Sequence, residues 1–162
     1  MVIWIIGKSG SGKSYLAKSL VRCLKKKTNN VFWIDGDKFR KKYSKDLGYS
    51  IRDRRINSKR IQKYCKIKEK LDKVVVCSIL SIFINHQKQN KKIFDKYFQV
   101  YVDAKTNIIE KRNNKKIYNK KYNVVGKDIK FPKPHKSNII IKNNFDNNFL
   151  VNIKEIINKL NV

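Results

Sequence analysis

Acidic residues are scarce in this sequence: 12 Asp and Glu stand against 40 Lys and Arg, and the formal net charge is +28 at pH 7. A charge of this size raises the question of nucleic-acid binding. The lysines are spread along the whole chain among Asn and Ile, and all three residues have A/T-rich codons, so a compositionally biased genome explains much of the excess. We therefore expect no specific nucleic-acid partner, although such a chain attracts RNA at low salt.

Cysteine is also scarce, and long apolar runs are missing. The three cysteines, Cys23, Cys65 and Cys77, have neither metal-site nor redox spacing, which predicts reduced thiols in a cytoplasmic protein. No apolar run approaches the roughly 20 residues of a transmembrane helix. The first residues already have the pattern of a core strand, so we expect no signal or transit peptide. With no repeat and no linker-like segment, residues 1–162 are predicted to form one domain.

The most informative stretch is a complete G-x-x-x-x-G-K-S phosphate-binding loop near the start of the chain. It consists of Gly7, Lys8, Ser9, Gly10, Ser11, Gly12, Lys13 and Ser14. An apolar, β-branched run typical of a buried strand precedes it, and apolar residues at helical spacing follow. This order favours an ATP site, with Lys13 reaching the β- and γ-phosphates and Ser14 binding Mg²⁺, over a serine-rich turn that matches by chance.

A pair of carboxylates follows the second predicted strand, Val31 to Ile34. Asp35 and Asp37 flank Gly36 at the strand's carboxyl end, where ligands bind in open parallel sheets. Phosphoryl transfer requires oxygen ligands for Mg²⁺ and a group that orients the attacking hydroxyl. We predict that Asp37 has the base or metal role and that Asp35 supports it. The alternative is an ordinary turn in which either carboxylate caps the next helix.

Basic and polar residues cluster near the start of the next predicted helix. Ser50 and Asp53 have the spacing of a helix start, and the helix continues to about Leu71. Arg40, Arg54 and Asn57 could hold a second, anionic substrate near that start. From the residues alone, a solvated basic helix face is an equally good interpretation.

Taken in order, these motifs resemble the adenylyl-sulfate kinase family. The resemblance rests on the phosphate loop, Asp35-Gly36-Asp37 with Arg40, Asp46-Leu47-Gly48-Tyr49-Ser50, Asp53-Arg54 and Asn57. It implies that Asp35, Arg40, Arg54 and Asn57 contact the acceptor nucleotide and that Tyr49 stacks on its base. Ser81 falls on the serine of the family's I-S-P motif, which implies substrate contact or a catalytic role. A strand-end serine can also be a helix cap.

A basic segment after the fourth predicted strand has the position of a mobile lid, at residues 112–136. Arg112 and the run Lys115 to Lys120 resemble the family's lid motif. The resemblance makes Arg112 an ATP ligand and Lys115 the residue that stabilises charge on the transferred phosphoryl group.

The segment Asn123 to Asp128 is similar to the family's N-F-T-G-I-D motif. Val124 takes the place of the phenylalanine that covers the adenine in the family. The loss of that aromatic ring removes a stacking energy of about 1–3 kcal/mol. This form of the motif is similar to that of a branch of the family found with capsule and surface-sugar genes. Some members of that branch are taken to act on a cytidine-diphosphate phosphoramidate.

Alternating strands and helices predict a three-layer α/β sandwich with a parallel sheet. The resemblance implies a five-stranded sheet of the phosphate-loop kinase type, in the order 2-3-1-4-5. The expected activity is phosphorylation of the 3′-hydroxyl of adenylyl sulfate, with ATP and Mg²⁺ as cofactors. One alternative is the same chemistry on a cytidine-diphosphate acceptor. Another is that the chain is a nucleotide-dependent RNA-binding module. By analogy with the family, a homodimer is compatible with this interpretation. His86, alone in a polar stretch, is predicted to be a surface residue.

Overall fold

The computed structural model describes residues 1–112, 122–145 and 149–160. Within these ranges the strands are β1 (Val2–Ile6), β2 (Val31–Asp35), β3 (Val74–Ile79), β4 (Tyr97–Asp103) and β5 (Ile139–Lys142). The helices are α1 (Lys13–Leu24), α2 (Gly36–Tyr43), α3 (Ile51–Lys70), α4 (Ile84–Ile93), α5 (Thr106–Arg112) and α6 (Phe149–Leu160). Among these residues no helix combines the length and the apolar character that a membrane span requires.

The strands form one parallel sheet in the order β2-β3-β1-β4-β5, so the predicted order is confirmed. β1 lies at its centre, and all five of its residues are buried. Because side chains alternate along a strand, Ile3 and Ile5 pack with α1 and α6, while Trp4 packs with α3 on the opposite face. The two apolar clusters give the three-layer sandwich that the alternating pattern predicted.

The sheet register sets the position of the site. Asp35, the last residue of β2, is paired with Ser78 of β3. The phosphate loop follows Ile6, which is paired with Ile79. All three segments therefore leave the sheet at the same edge, as expected for the carboxyl ends of parallel strands.

The prediction for His86 is wrong. His86 lies on α4 and is only 4% exposed, and its Nδ1 is 2.8 Å from the Ser58 hydroxyl of α3. Gln62 donates hydrogen bonds to the His86 carbonyl and to the Asn90 side chain, at 3.2 and 2.7 Å. α4 thus buries hydrogen-bonded polar side chains rather than apolar ones, and apolar periodicity could not reveal either the helix or the burial.

Candidate active site

The phosphate loop has the backbone that its glycines permit. Gly10 and Gly12 have φ values of 80° and 98°, which side chains with a Cβ rarely adopt. Gly12 is the N-cap of α1 and supplies no side-chain cap. The first N–H groups of α1 are therefore available to phosphate oxygens, and the helix dipole favours the negative charge.

Two contacts that the sequence did not indicate hold this loop from outside. The Lys8 ammonium donates to the Thr106 hydroxyl at 2.8 Å, and the Asn143 amide donates to the Ser11 carbonyl at 2.9 Å. The Lys13 ammonium folds back onto the Lys8 carbonyl at 2.5 Å. Residues far apart in sequence thus fix the loop, and no local pattern reports such contacts.

Ser14 and Asp35 meet at the base of the loop. The Ser14 hydroxyl donates to Asp35 Oδ2 at 2.6 Å. Asp35 Oδ1 accepts from the backbone N–H groups of Asp37 and Lys38, at 3.1 and 3.2 Å, and so caps α2. The helix-cap interpretation therefore applies to Asp35, and the same side chain also contacts the phosphate-loop serine.

This pair suits a magnesium ion, because Mg²⁺ prefers oxygen ligands and is usually bound by one or two carboxylates together with phosphates and waters. Within the described ranges, no three His, Cys, Asp or Glu side chains cluster to form a metal site of their own. The Ser14–Asp35 pair therefore matches an ion shared with a nucleotide, not a protein-only metal cage.

Asp37 lies in the exposed first turn of α2, two residues after Asp35. α2 approaches β3 closely, since a Cβ on Gly36 would lie 2.9 Å from Ile79 Cγ2. This close approach holds the start of α2 against the end of β3. Asp37 and Arg40, three residues apart, lie on neighbouring positions of one helix surface. The assignments of Asp37 as base and as metal ligand stay predictions, and Asp35 is the carboxylate in contact with Ser14.

Arg40, Tyr49 and Arg54, which the resemblance assigns to the acceptor nucleotide, lie together in the structure, and their binding role stays a prediction. The Tyr49 ring is 51% exposed, with the Arg40 and Arg54 guanidinium carbons 4.8 and 5.5 Å from its centroid. Arg40 donates to the Gly48 carbonyl, and Arg54 donates to the carbonyls of Tyr49 and Asn123, at 3.0 and 2.8 Å. Desolvation and the nearby Arg40 charge lower the pKa of Arg54. An aromatic face with two guanidinium groups can bind a base and its anionic substituents.

Asn57 lies one turn after Arg54 on α3, whose start is fixed by a capping box between Ser50 and Asp53. Its Oδ1 is buried, and no hydrogen-bond partner for it is found in the part of the chain that the structure describes. Buried polar atoms are normally satisfied, so this acceptor is suited to a ligand donor.

Ser81 and Val124 are placed in the interior. Ser81 is 3% exposed, and the Gln87 amide donates to its carbonyl and hydroxyl oxygens, at 3.2 and 3.4 Å. Gln87 also accepts from the His135 N–H at 2.8 Å. Val124 is 2% exposed, within a turn closed by Asp128. The roles assigned to Ser81 and Val124 stay predictions.

Arg112, at the end of α5, lies over the Phe145 ring, with its guanidinium carbon 4.4 Å from the ring centroid. Phe145 follows Asn143, which holds the phosphate loop, so Arg112 is linked to the nucleotide side of the site. Lys115 lies outside the described residues, as do residues 113–121 of the predicted lid.

Comparison with known proteins identifies a family that this chain resembles over most of its length. The family model described as adenylylsulphate kinase matches residues 1–142. An adenylyl-sulfate kinase of Buchnera aphidicola subsp. Schizaphis graminum is 38% identical over 122 residues, covering 74% of this chain and 58% of the relative. A cytidine diphosphoramidate kinase of Campylobacter jejuni is 31% identical, covering 98% of this chain and 95% of the relative.

Among solved structures, the APS kinase of Mycobacterium tuberculosis in complex with AMPPNP and APS has a TM-score of 0.90. It is 25% identical in sequence, and the match covers 99% of this chain and 97% of that one. The similarity in fold therefore extends over almost the whole of this chain. The sequence match to the Buchnera relative, in contrast, spans less than two thirds of that protein's length.

Proposed function

Because the chain belongs to the adenylylsulphate kinase family, we propose that it is an ATP-dependent kinase that phosphorylates the 3′-hydroxyl of adenylyl sulfate. The products are 3′-phosphoadenylyl sulfate and ADP. The observation that carries this proposal is the contact between Ser14 of the phosphate loop and Asp35 of the neighbouring strand end, at 2.6 Å. It joins a triphosphate-binding element to a carboxylate at one edge of the sheet, as phosphoryl transfer requires.

In this proposal ATP lies on the phosphate loop, with its β- and γ-phosphates against Lys13 and the N-terminus of α1. Ser14 and Asp35 hold Mg²⁺, which neutralises charge on the phosphates when bound. Asp37, on the exposed first turn of α2, orients the acceptor hydroxyl or removes its proton. Lys115 and Arg112 act on the ATP side when the lid closes.

The acceptor nucleotide occupies the cluster of Arg40, Tyr49, Arg54 and Asn57. The exposed Tyr49 ring stacks on the base, and the guanidinium groups bind the anionic part. The buried side-chain oxygen Oδ1 of Asn57, which has no hydrogen-bond partner within the described residues, accepts a donor of the nucleotide. Since Arg54 also donates to the carbonyl of Asn123, which lies within the predicted lid segment 112–136, acceptor binding is expected to affect that segment.

A cytidine-diphosphate phosphoramidate is the second candidate acceptor. It is favoured by the similarity to the Campylobacter jejuni cytidine diphosphoramidate kinase, which extends over 98% of this chain and 95% of that protein. Val124 is buried and stands where the family has the phenylalanine that covers the base, so Tyr49 would be the aromatic face left for stacking. A cytosine base is smaller than adenine and needs less stacking area.

A product scan by mass spectrometry separates these proposals. The purified protein is incubated with Mg²⁺ and ATP plus either adenylyl sulfate or cytidine-diphosphate phosphoramidate, with Lys13→Ala as the inactive control. A gain of one phosphoryl group on adenylyl sulfate supports the first proposal, and the same gain on the cytidine compound alone supports the second. If neither gains mass while RNA binds with a steep salt dependence, the RNA-binding alternative is supported instead.

The homodimer expected by analogy stays a prediction. Light scattering after size exclusion measures the mass of the particle directly. A dimer has twice the chain mass of 19.2 kDa.

A further inference from the structure

Trp33, on β2, is linked to the Ser14–Asp35 pair through one intervening hydroxyl. The Trp33 indole Nε1–H donates to Ser78 Oγ at 3.2 Å. Ser78 Oγ in turn donates to Asp35 Oδ2, at 3.5 Å, the same oxygen that accepts from Ser14 at 2.6 Å. No motif of the sequence indicated a role for Trp33 or Ser78.

The indole nitrogen can only donate a hydrogen bond, and this fixes the direction of the whole series. When Trp33 donates to Ser78, it occupies a lone pair of the hydroxyl, and the hydroxyl proton is left to point at Asp35. The 3.5 Å separation is long for an O–H···O bond, so Ser78 acts mainly as an oriented dipole directed at the carboxylate.

The surroundings favour a fixed arrangement. Ser78 is 3% exposed, so water does not compete for its hydroxyl. It is paired with Asp35 in the sheet, and Trp33 lies two residues before Asp35 on the same face of β2. Asp35 Oδ1 is engaged by the N-terminus of α2, so Oδ2 is the oxygen that Ser14, Ser78 and a bound ion share.

We infer that Trp33 is a positioning residue: through Ser78, its indole N–H holds the Asp35 carboxylate in the orientation that receives Mg²⁺ beside Ser14. This inference rests on the proposed function. Trp33 itself contacts no reacting atom, and its contribution is expected in the metal-dependent part of nucleotide binding.

Trp33→Phe tests the inference, because phenylalanine keeps an aromatic ring and removes the N–H. Calorimetry measures the dissociation constant of ADP with Mg²⁺ and with EDTA, and the ratio of the two constants is the gain due to the metal. We expect this gain to fall about two- to tenfold in Trp33→Phe, from the net value of one hydrogen bond, while ADP binding in EDTA is unchanged.

Trp4→Phe is the matched control. Trp4 is 1% exposed, and its Nε1 has no hydrogen-bond partner within the described residues. The same substitution therefore removes an indole N–H that positions nothing. It is expected to change the melting temperature but to leave the metal-dependent gain at the wild-type value.

Ser78→Ala gives a second test that does not depend on the aromatic ring. Because Trp33 acts through Ser78, the double variant Trp33→Phe/Ser78→Ala should lose no more of the gain than Ser78→Ala alone. Equal gains in Trp33→Phe and wild type would overturn the inference, and so would additive losses in the double variant. A parallel weakening of ADP binding in EDTA would also overturn it, because that result indicates general structural damage.

The wild-type protein distinguishes failure of this inference from failure of the proposed function. If wild type binds ADP with no gain from Mg²⁺, both fail. If wild type shows the gain and Trp33→Phe retains it, only the role of Trp33 is refuted.

Discussion

Asp35 makes two sets of contacts whose consequences a pair of substitutions can separate. Its Oδ2 accepts from Ser14 beside the phosphate loop, while its Oδ1 accepts two backbone N–H groups at the start of α2. Asp35→Asn removes the charge but retains an oxygen for the helix cap. Asp35→Ala removes both.

The two variants should therefore differ in stability and agree in activity. Asn and Asp are equally good N-caps, whereas replacement by Ala typically costs about 1 kcal/mol. For a chain of this length, 1 kcal/mol corresponds to a melting temperature lower by about 2–4 °C. We expect that decrease in Asp35→Ala and almost none in Asp35→Asn. In the proposed function Asp35 would help to hold Mg²⁺ beside the transferred phosphoryl group. Both variants lose that negative charge, and kcat/KM should therefore fall by about 10²–10³.

Thermal melting by circular dichroism and initial rates of ADP formation with adenylyl sulfate provide the two measurements. Asp72→Asn is a suitable control, because Asp72 is exposed and its φ of 54° is one that Asn tolerates. Wild-type kcat/KM in Asp35→Asn would refute the assignment of Asp35 to the metal site. An unchanged melting temperature in Asp35→Ala would refute its role as a cap.

Three further predictions concern the phosphate loop, the acceptor cluster and the α3–α4 interface. Lys13→Ala should cost several kcal/mol of activation free energy with an unchanged circular dichroism spectrum, and wild-type turnover would remove the loop from the mechanism. Arg54→Lys retains the positive charge but loses the bidentate guanidinium donor, so the KM of the acceptor should rise about tenfold. Arg52→Lys, at an exposed position, is the control and should leave this KM unchanged. Equal KM values in Arg54→Lys and wild type would contradict the proposed acceptor site. Burial, together with the charges of Arg55 and Lys59, lowers the pKa of His86 in the folded protein. As the pH decreases, His86 is therefore protonated in the unfolded protein before it is protonated in the folded protein. Stability should therefore fall as the pH decreases through about 6.5, and urea unfolding should show a smaller fall in His86→Gln; an identical pH dependence would contradict this.

Local patterns were sufficient for most of the fold. The continuous apolar run of β1, the glycine loop and the apolar spacing in α1 each depend on neighbouring residues, so a linear sequence reports them directly. The capping box of Ser50 and Asp53 is equally local, and it starts α3 where the pattern predicted. α4 was missed because the side chains that it buries, His86, Gln87 and Asn90, are polar, and only partners on other elements satisfy them.

For the candidate site, the sequence alone determined which groups to consider: a phosphate loop, carboxylates at a strand end and a basic aromatic cluster. The tertiary structure alone decided which of these residues touch. Asp35 contacts Ser14, Trp33 reaches Asp35 through Ser78, and Ser81 turns inward to Gln87. The physical reason is that motifs are set by backbone conformation over a few residues. Contacts between strand ends depend on sheet register and helix packing, which involve residues more than 20 positions apart.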